Sequence, residues 1–371
     1  MRIRSLVSLP DLFMSEDLKD LRERIDQLDE QIQALISERA RVAEEVAKVK
    51  QDNGDASFYR AEREAQVLRK VMERNQGPLS DEEIARLFRE IMSACLALEQ
   101  VMTIAYLGPE GTFTQAAALK HFGHAVTTAP QASIGDVFRE VESGSAHYGV
   151  VPVENSTEGV VNHTLDQFMN SSLKICGEVE LRIHHHLLSR ADELAKIKRV
   201  YSHQQSFAQC REWLETRLPG VELCDVSSNA EAARRASEEA DSAAIASETA
   251  AEIYHLPVLV ANIEDEPDNT TRFLIIGRSE PGPSGDDKTS LLVSTHNRPG
   301  ALHRLLSPFQ KHDISLTRIE SRPSRRGMWD YVFFVDIDGH VSEPHIAAAL
   351  EELEAESSFL KVLGSYPRAV L

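Results

Sequence analysis

The run 15-SEDLKDLRERIDQLDEQIQALISERARVAEEVAKVK-50 places apolar residues at Leu18, Leu21, Ile25, Leu28, Ile32, Leu35, Val42, Val46 and Val49. Alternating three- and four-residue steps held over that distance make the seam of one long helix of the coiled-coil type. Asn53-Gly54-Asp55 breaks it. A second helical pattern runs from about Tyr59 to Asn75 and stops at Gln76-Gly77-Pro78. Ser80 with Glu83 forms a capping box that opens a third helix, with a stripe of Ile84, Leu87, Phe88, Ile91, Cys95 and Leu98. Residues 15–100 therefore read as an all-helical domain.

At Val101 the texture changes. Short β-rich runs, 101-VMTIAYLG and 148-YGVVPV among them, alternate with Ala-rich helical stretches as far as 273-FLIIG. This predicts a two-lobed α/β domain over 101–280 with mixed or parallel sheets. The stretch 279-SEPGPSGDDK has the composition of an exposed linker. Beyond it come 289-TSLLVST, a helix opened by Pro299-Gly300, a strand near Ser315 to Glu320, 330-DYVFFVDID, a helix from Pro344 to Ala355 and a strand near Val362. The order βαββαβ predicts an α+β, ferredoxin-like domain over 288–371.

The chain has 371 residues, enough for two or three domains, with 42% hydrophobic and 27% charged residues. No apolar run approaches the ~20 residues of a membrane helix, so the chain reads as soluble, with no membrane partner. A net charge of −19 excludes non-specific nucleic-acid binding, which takes a basic face, and predicts that any anionic ligand is held by locally clustered Arg and Lys. Cys95, Cys176, Cys210 and Cys224 are too scattered for a disulfide framework or a zinc site, and a reducing cytosol is the simplest compartment. The first thirteen residues begin basic, but Pro10 and Asp11 break their apolar stretch. They read as a loose leader before a working start near Met14.

Arg39 interrupts the seam, and a charge on a packed stripe is costly unless it snorkels to the surface or meets its opposite. Arg39 and Lys50, eleven residues apart, fall within about 20° on one helix face and can bracket one small anion. Arg22 stands about 25 Å from Arg39 along the axis, so if it contributes it does so in a second protomer's site. That implies an intertwined dimer. In the α/β region, 108-GPEGTFT reads either as an ordinary strand-to-helix turn or as a carboxylate cradle, whose glycines let the backbone approach a ligand beside a helix start. Polar clusters 153-VENSTEGVV, 201-YSHQQSFAQC and 269-NTTRFLIIG sit at predicted strand ends, where open α/β sheets place ligands. On a strand His184, His185 and His186 cannot converge, so no metal is expected there, and 262-NIEDEPDN reads as a solvated loop. The third domain carries 297-NRPGALHRLL, with a Gly at a strand-to-helix turn, and 320-ESRP.

Three resemblances rest on these residues. The run 21-LRERIDQLDEQIQALISERARVAEEVAKVK with 63-RE resembles the all-helical chorismate mutases, matching their motif at Arg22, Arg39, Lys50, Arg63 and Glu64. The third helix has Cys95 and Glu99 where relatives resemble Ser and Gln, and residue 60 is Arg where Asp is often found. Residues 104–277 resemble prephenate dehydratase. That resemblance makes Thr271 the proton donor or its positioning group, with Arg272 supporting the site, Asn155, Ser202 and Gln209 orienting substrate, and Thr112 on the Gly-rich loop. The last domain resembles the ACT family, with Gly300-Ala301-Leu302 and Glu320-Ser321-Arg322-Pro323 at its phenylalanine-binding motifs and His303 where an aliphatic residue is common. Together they imply a cytoplasmic enzyme converting chorismate through prephenate to phenylpyruvate, inhibited by phenylalanine, without organic cofactor or metal, as a homodimer or higher homo-oligomer. The competing reading is a phenylalanine-sensing regulatory protein with one decayed catalytic module.

Overall fold

The computed structural model describes residues 9–52, 59–295, 298–323 and 331–371. It divides into two compact units, Met1–Phe58 with Ala94–Gln100, and Tyr59–Ser93 with Val101–Leu371. Three helices come first: α1 (Leu9–Asp52), α2 (Ala61–Arg74) and α3 (Asp81–Glu99). At 1.5 Å per residue α1 is about 66 Å long. It begins inside the expected leader, because Pro10 fits a helix's first turn, where its missing N–H is not needed. Residues 1–8 and the Asn53-Gly54-Asp55 break lie outside the described residues. The capping box forms: Ser80 Oγ accepts from Glu83 N at 3.2 Å and Glu83 Oε2 from Ser80 N at 3.3 Å.

The units do not follow the expected boundary at residue 100, and the reason is a set of ring contacts and polar ties. Tyr59 packs on Phe122 and Tyr148, and Arg89 of α3 donates to Glu64 Oε1 (3.1 Å) and Lys120 O (2.8 Å). Arg69 of α2 donates to Ser284 Oγ (3.0 Å) and Asp286 O (2.9 Å), so the stretch read as an exposed linker is packed instead, with Ser284 and Asp287 buried.

The larger unit continues with β1 (Thr103–Leu107), α4 (Phe113–Phe122), β2 (Thr127–Gln131), α5 (Ile134–Ser143), β3 (Tyr148–Asn155), β4 (Gly159–Val160), α6 (Asn162–Phe168) and β5 (Lys174–Arg182). The chain then leaves to build a second lobe from β6 (His186–Ser189), β7 (Arg199–Ser202), α7 (Gln204–Gln209), α8 (Arg211–Arg217), β8 (Glu222–Asp225), α9 (Asn229–Glu238), β9 (Ser242–Ala246), α10 (Glu248–Ile253) and β10 (Val258–Val260). It returns as β11 (Thr270–Gly277). The first sheet has the order β2-β1-β3-β11-β5, with β4 on β3, and the second β10-β6-β9-β7-β8. Two crossings between lobes leave a cleft where strands end and helices begin, the usual ligand position in such sheets.

The last domain is β12 (Asp287–Ser294), α11 (Ala301–Lys311), β13 (Leu316–Pro323), β14 (Tyr331–Asp338), α12 (Pro344–Glu356) and β15 (Phe359–Pro367), the expected βαββαβ, in sheet order β13-β14-β12-β15. One face packs on α11 and α12. The other shares a core with the first lobe, where Leu292, Phe334, Leu363 and Tyr366 join Phe138, Phe168 and Ile175. Gly364 permits this approach: a Cβ there would stand 2.2 Å from Ile175 O. Among the described residues no helix is long and apolar enough to cross a membrane.

Candidate active site

A cleft of about 600 Å³ lies between the two α/β lobes, lined on one side by residues from β1–α4, β3–α6 and β11 and on the other by residues around His185, α7 and the start of α9. Antiparallel register sets its centre. Thr271 at the start of β11 faces Asn155 at the end of β3, and both line the cleft. Asn155 Nδ2 donates to Thr271 Oγ1 and to Asn269 Oδ1, each at 2.8 Å, while Asn155 Oδ1 accepts from Thr157 N and Glu158 N. Because Asn155 occupies a lone pair of the Thr271 oxygen, the hydroxyl proton is free to point elsewhere. Thr271 is itself buried.

The Gly-rich turn brings Thr112 to the same cleft. Gly111 takes φ +86 and packs against α10, where a Cβ would meet Ala250 at 3.3 Å, and its carbonyl accepts from Ser247 Oγ. Thr112 donates to Leu107 O at 3.1 Å and stands at the N-cap of α4. Ser228, whose Oγ accepts from Glu231 N, caps α9 on the opposite side. Two helix N-termini thus edge the cleft with partial positive charge.

Four expected residues, Thr112, Asn155, Gln209 and Thr271, are brought together here. Two are not. Ser202 is fully buried below the cleft, its Oγ donating to Asn229 Oδ1 (3.2 Å) and Ile245 O (3.3 Å). It holds Asn229, which lines the cleft. Arg272 projects from the other face of β11, as strand alternation requires after an inward Thr271. Its guanidinium donates to Glu178 Oε2 (2.8 Å), Asp336 Oδ2 (2.7 Å) and Tyr366 Oη (3.0 Å), so it joins β11 to the C-terminal sheet and supports the site only through its strand. The expected Arg and Lys cluster is also missing: no lysine or arginine lines this cleft among the described residues. Its donors are amides, hydroxyls, helix N-termini and three histidines, His163, His185 and His203.

Asn229, Asn269, Glu158, His163 and His203 escaped the sequence reading, which weighed His185 only as a member of a metal-binding triplet. Asn269 and Glu158 lie inside quoted motifs, and Ser228 with Glu231 was a legible cap beside Asn229. The triplet does not lie on one strand, because β5 ends at Arg182 and β6 begins at His186, yet the three side chains part: His184 Nδ1 meets Glu264 Oε1 at 2.7 Å, His186 Nδ1 accepts from Asn262 N, and His185 turns to the cleft. Burial pushes the His185 imidazole below its ordinary pKa. No metal-holding cluster occurs among the described residues. The 262-NIEDEPDN loop is not solvated throughout, because Glu264 is buried against His184 and Asp265 accepts from Glu212 N and Trp213 N.

In the smaller unit Arg22 is exposed, Arg39 and Lys50 are half-buried on α1, and Cys95 is buried on α3. Glu99 Oε2 is buried without a hydrogen-bond partner among the described residues. Burial raises the Glu99 carboxyl above its usual pKa, with Lys50 close enough to oppose the rise. Arg63 and Glu64 belong to the larger unit. Arg63 is exposed, and Glu64 is committed to Arg89. In the last domain Gly300 takes φ +75 at the N-cap of α11, ahead of Ala301 and Leu302. Glu320, Ser321, Arg322 and Pro323 lie on β13, the sheet's edge strand. Arg322 is engaged by Asp166 (2.6 Å) and by Asn162, which lines the cleft.

Family models for chorismate mutase type II, prephenate dehydratase and the ACT domain match residues 21–100, 104–281 and 289–355. A bifunctional chorismate mutase/prephenate dehydratase from Pseudomonas aeruginosa is 61% identical over 361 residues, covering 96% of this chain and 99% of that protein. A prephenate dehydratase from Mycolicibacterium vanbaalenii is 38% identical, covering 71% of this chain and 90% of its own. The crystal structure of a prephenate dehydratase from Arthrobacter aurescens in complex with L-Phe superposes with a TM-score of 0.67 at 37% identity, over 72% of this chain and 90% of that one.

Proposed function

Since the chain belongs to the bifunctional chorismate mutase/prephenate dehydratase family, we propose that it converts chorismate to prephenate and prephenate to phenylpyruvate, and that phenylalanine bound to its ACT domain restrains the second step. The observation that carries the dehydratase step is the Asn155–Thr271 pair, which leaves one hydroxyl proton to aim into a cleft edged by helix N-termini. Loss of CO₂ and of the ring hydroxyl makes an aromatic ring, so little beyond holding the dianion and protonating the departing oxygen is required. As CO₂ departs, its C–C electron pair moves into the ring and the C–O pair leaves with the hydroxyl, which takes the Thr271 proton and departs as water, and the Thr271 oxygen then recovers a proton from solvent. Helix N-termini and amide donors meet the carboxylates, which suits an acidic domain without a cationic cleft. Incubation with chorismate should yield phenylpyruvate, read by its absorbance in alkali. Accumulated prephenate would favour the regulatory reading with a decayed dehydratase.

The mutase needs no covalent group, only a clamp on the reactive conformer and donors beside the ether oxygen. Arg39, Lys50 and Glu99 of one subunit serve with Arg22 of the partner subunit. The exposed seam of α1, from Leu18 to Val49 with Ile32 54% and Leu35 66% accessible, supports a dimer, because an apolar stripe of that length requires a partner helix. Sedimentation should give a dimer or larger, and Ile32→Glu should dissociate it and abolish the mutase. A stable monomer with full mutase activity would overturn this arrangement.

Glu99 can donate to the ether oxygen only while protonated. Mutase kcat/KM should therefore fall as pH rises through its raised pKa, and Glu99→Gln should flatten that profile. A profile unchanged by the substitution would remove Glu99 from the mechanism. Four free thiols, three of them buried, fit a reducing cytoplasm.

A further inference from the structure

Glu158 is the one carboxylate among the described residues that line the dehydratase cleft. It reaches from the β3–β4 turn of the first lobe to α7 of the second, where Gln205 Nε2 donates to its Oε2 and Gln209 Nε2 to its Oε1 at 3.3 Å. Gln205 and Gln209 are four residues apart on one helix face. Two amide NH₂ groups thus hold both oxygens of one carboxylate.

The polarity of this arrangement is determined by elimination. An ionised carboxylate only accepts, so Gln209 must turn its NH₂ to Glu158 and its Oε1 to His185. His185 Nε2 lies 2.7 Å from that oxygen and must carry the proton. His185 is 1% exposed, its edge contact with Phe113 and the bond from its backbone N to Glu264 Oε2 hold it in place, and its Nδ1 is buried without a partner among the described residues. The opposite tautomer would accept from the Gln209 amide and turn the amide oxygen on the cleft, where it would repel an anion.

We propose that Gln205 joins Gln209, expected above to orient substrate, in holding one substrate carboxylate, that Glu158 competes for these two donors, and that His185 is the positioning residue that keeps the Gln209 NH₂ toward the cleft. This rests on the dehydratase reading above. Substrate entry exchanges one carboxylate for another on the same two donors and releases the contact Glu158 makes between lobes.

The test is steady-state kinetics of the full-length protein on prephenate, with its mutase rate and melting temperature as folding controls. His185→Phe keeps the ring's shape but not its proton, and should raise KM roughly tenfold with kcat held within about threefold. His185→Gln, which returns an amide donor near the same place, should recover most of that loss. Glu158→Ala should move KM the other way, lowering it about threefold or more. An unchanged KM in His185→Phe, no recovery in His185→Gln, or a raised KM or tenfold lower kcat in Glu158→Ala would each overturn the proposal. If His185→Phe does not fold, the direction of the Glu158→Ala shift decides. A wild-type protein inert on prephenate sinks the dehydratase reading itself, whereas an active wild type with the wrong variant pattern sinks only the subsite.

Discussion

Thr271→Val should lower kcat for prephenate by about 10²–10⁴-fold, the range typical of losing a positioned proton donor, while the same chain keeps its mutase rate. Valine preserves the β-branched shape that β11 accommodates, so the loss reports the hydroxyl alone. Asn155 Nδ2 keeps its bond to Asn269 Oδ1 in the variant, which limits the structural cost. Thr271→Ser retains the hydroxyl and should recover much of the rate. A fall of less than about tenfold in Thr271→Val would place the proton donor elsewhere in the cleft.

Arg272→Met should cost about 3–5 kcal/mol of stability, the usual consequence of removing one partner from a buried ion cluster. The Arg272, Glu178 and Asp336 side chains are 12%, 2% and 7% exposed, so Asp336 would be left buried without its main counter-charge. Lys288 still pairs with Glu178 in the variant, at 2.9 Å, and softens the loss on that side. Urea unfolding of both proteins at neutral pH measures the difference. Acid supplies a second readout. Burial alone would raise the Asp336 carboxyl, but Arg272, Ser290 and Arg318 hold it below its ordinary pKa. Its stabilising contribution is therefore full above the unfolded carboxylate pKa of about 4 and is lost as pH falls through the depressed folded value. In Arg272→Met that acid-linked loss should shrink. Equal stability in the two proteins would show that the cluster does not bind β11 to the C-terminal sheet.

The same two residues mark how far the sequence is legible. The Thr-Arg-Phe run could be recognised as a motif, but recognition treated neighbours on a strand as neighbours in a site. Successive side chains point to opposite faces, so Thr271 enters the cleft while Arg272 enters the interface with β12, β14 and β15. Ser202 shows a related limit. Its place at a strand end was readable, yet only the packing of β7 between β9 and β8 puts it under Asn229 rather than in the cleft.

The sequence by itself determined the elements: the seam of α1, the capping box of α3, the strand runs and the βαββαβ order all arise from periods of two and 3.6 residues and from caps spanning three or four. Tertiary structure alone decided which groups meet. It packed the presumed linker under Arg69, divided the helical region between two units, committed Arg322 to Asp166, and gave the cleft helix N-termini and histidines instead of Arg and Lys. The physical reason is distance along the chain. Periodicity is a property of near neighbours, whereas a side chain's partner follows from the register and packing of segments a hundred or more residues apart, as Asn155 and Thr271 are.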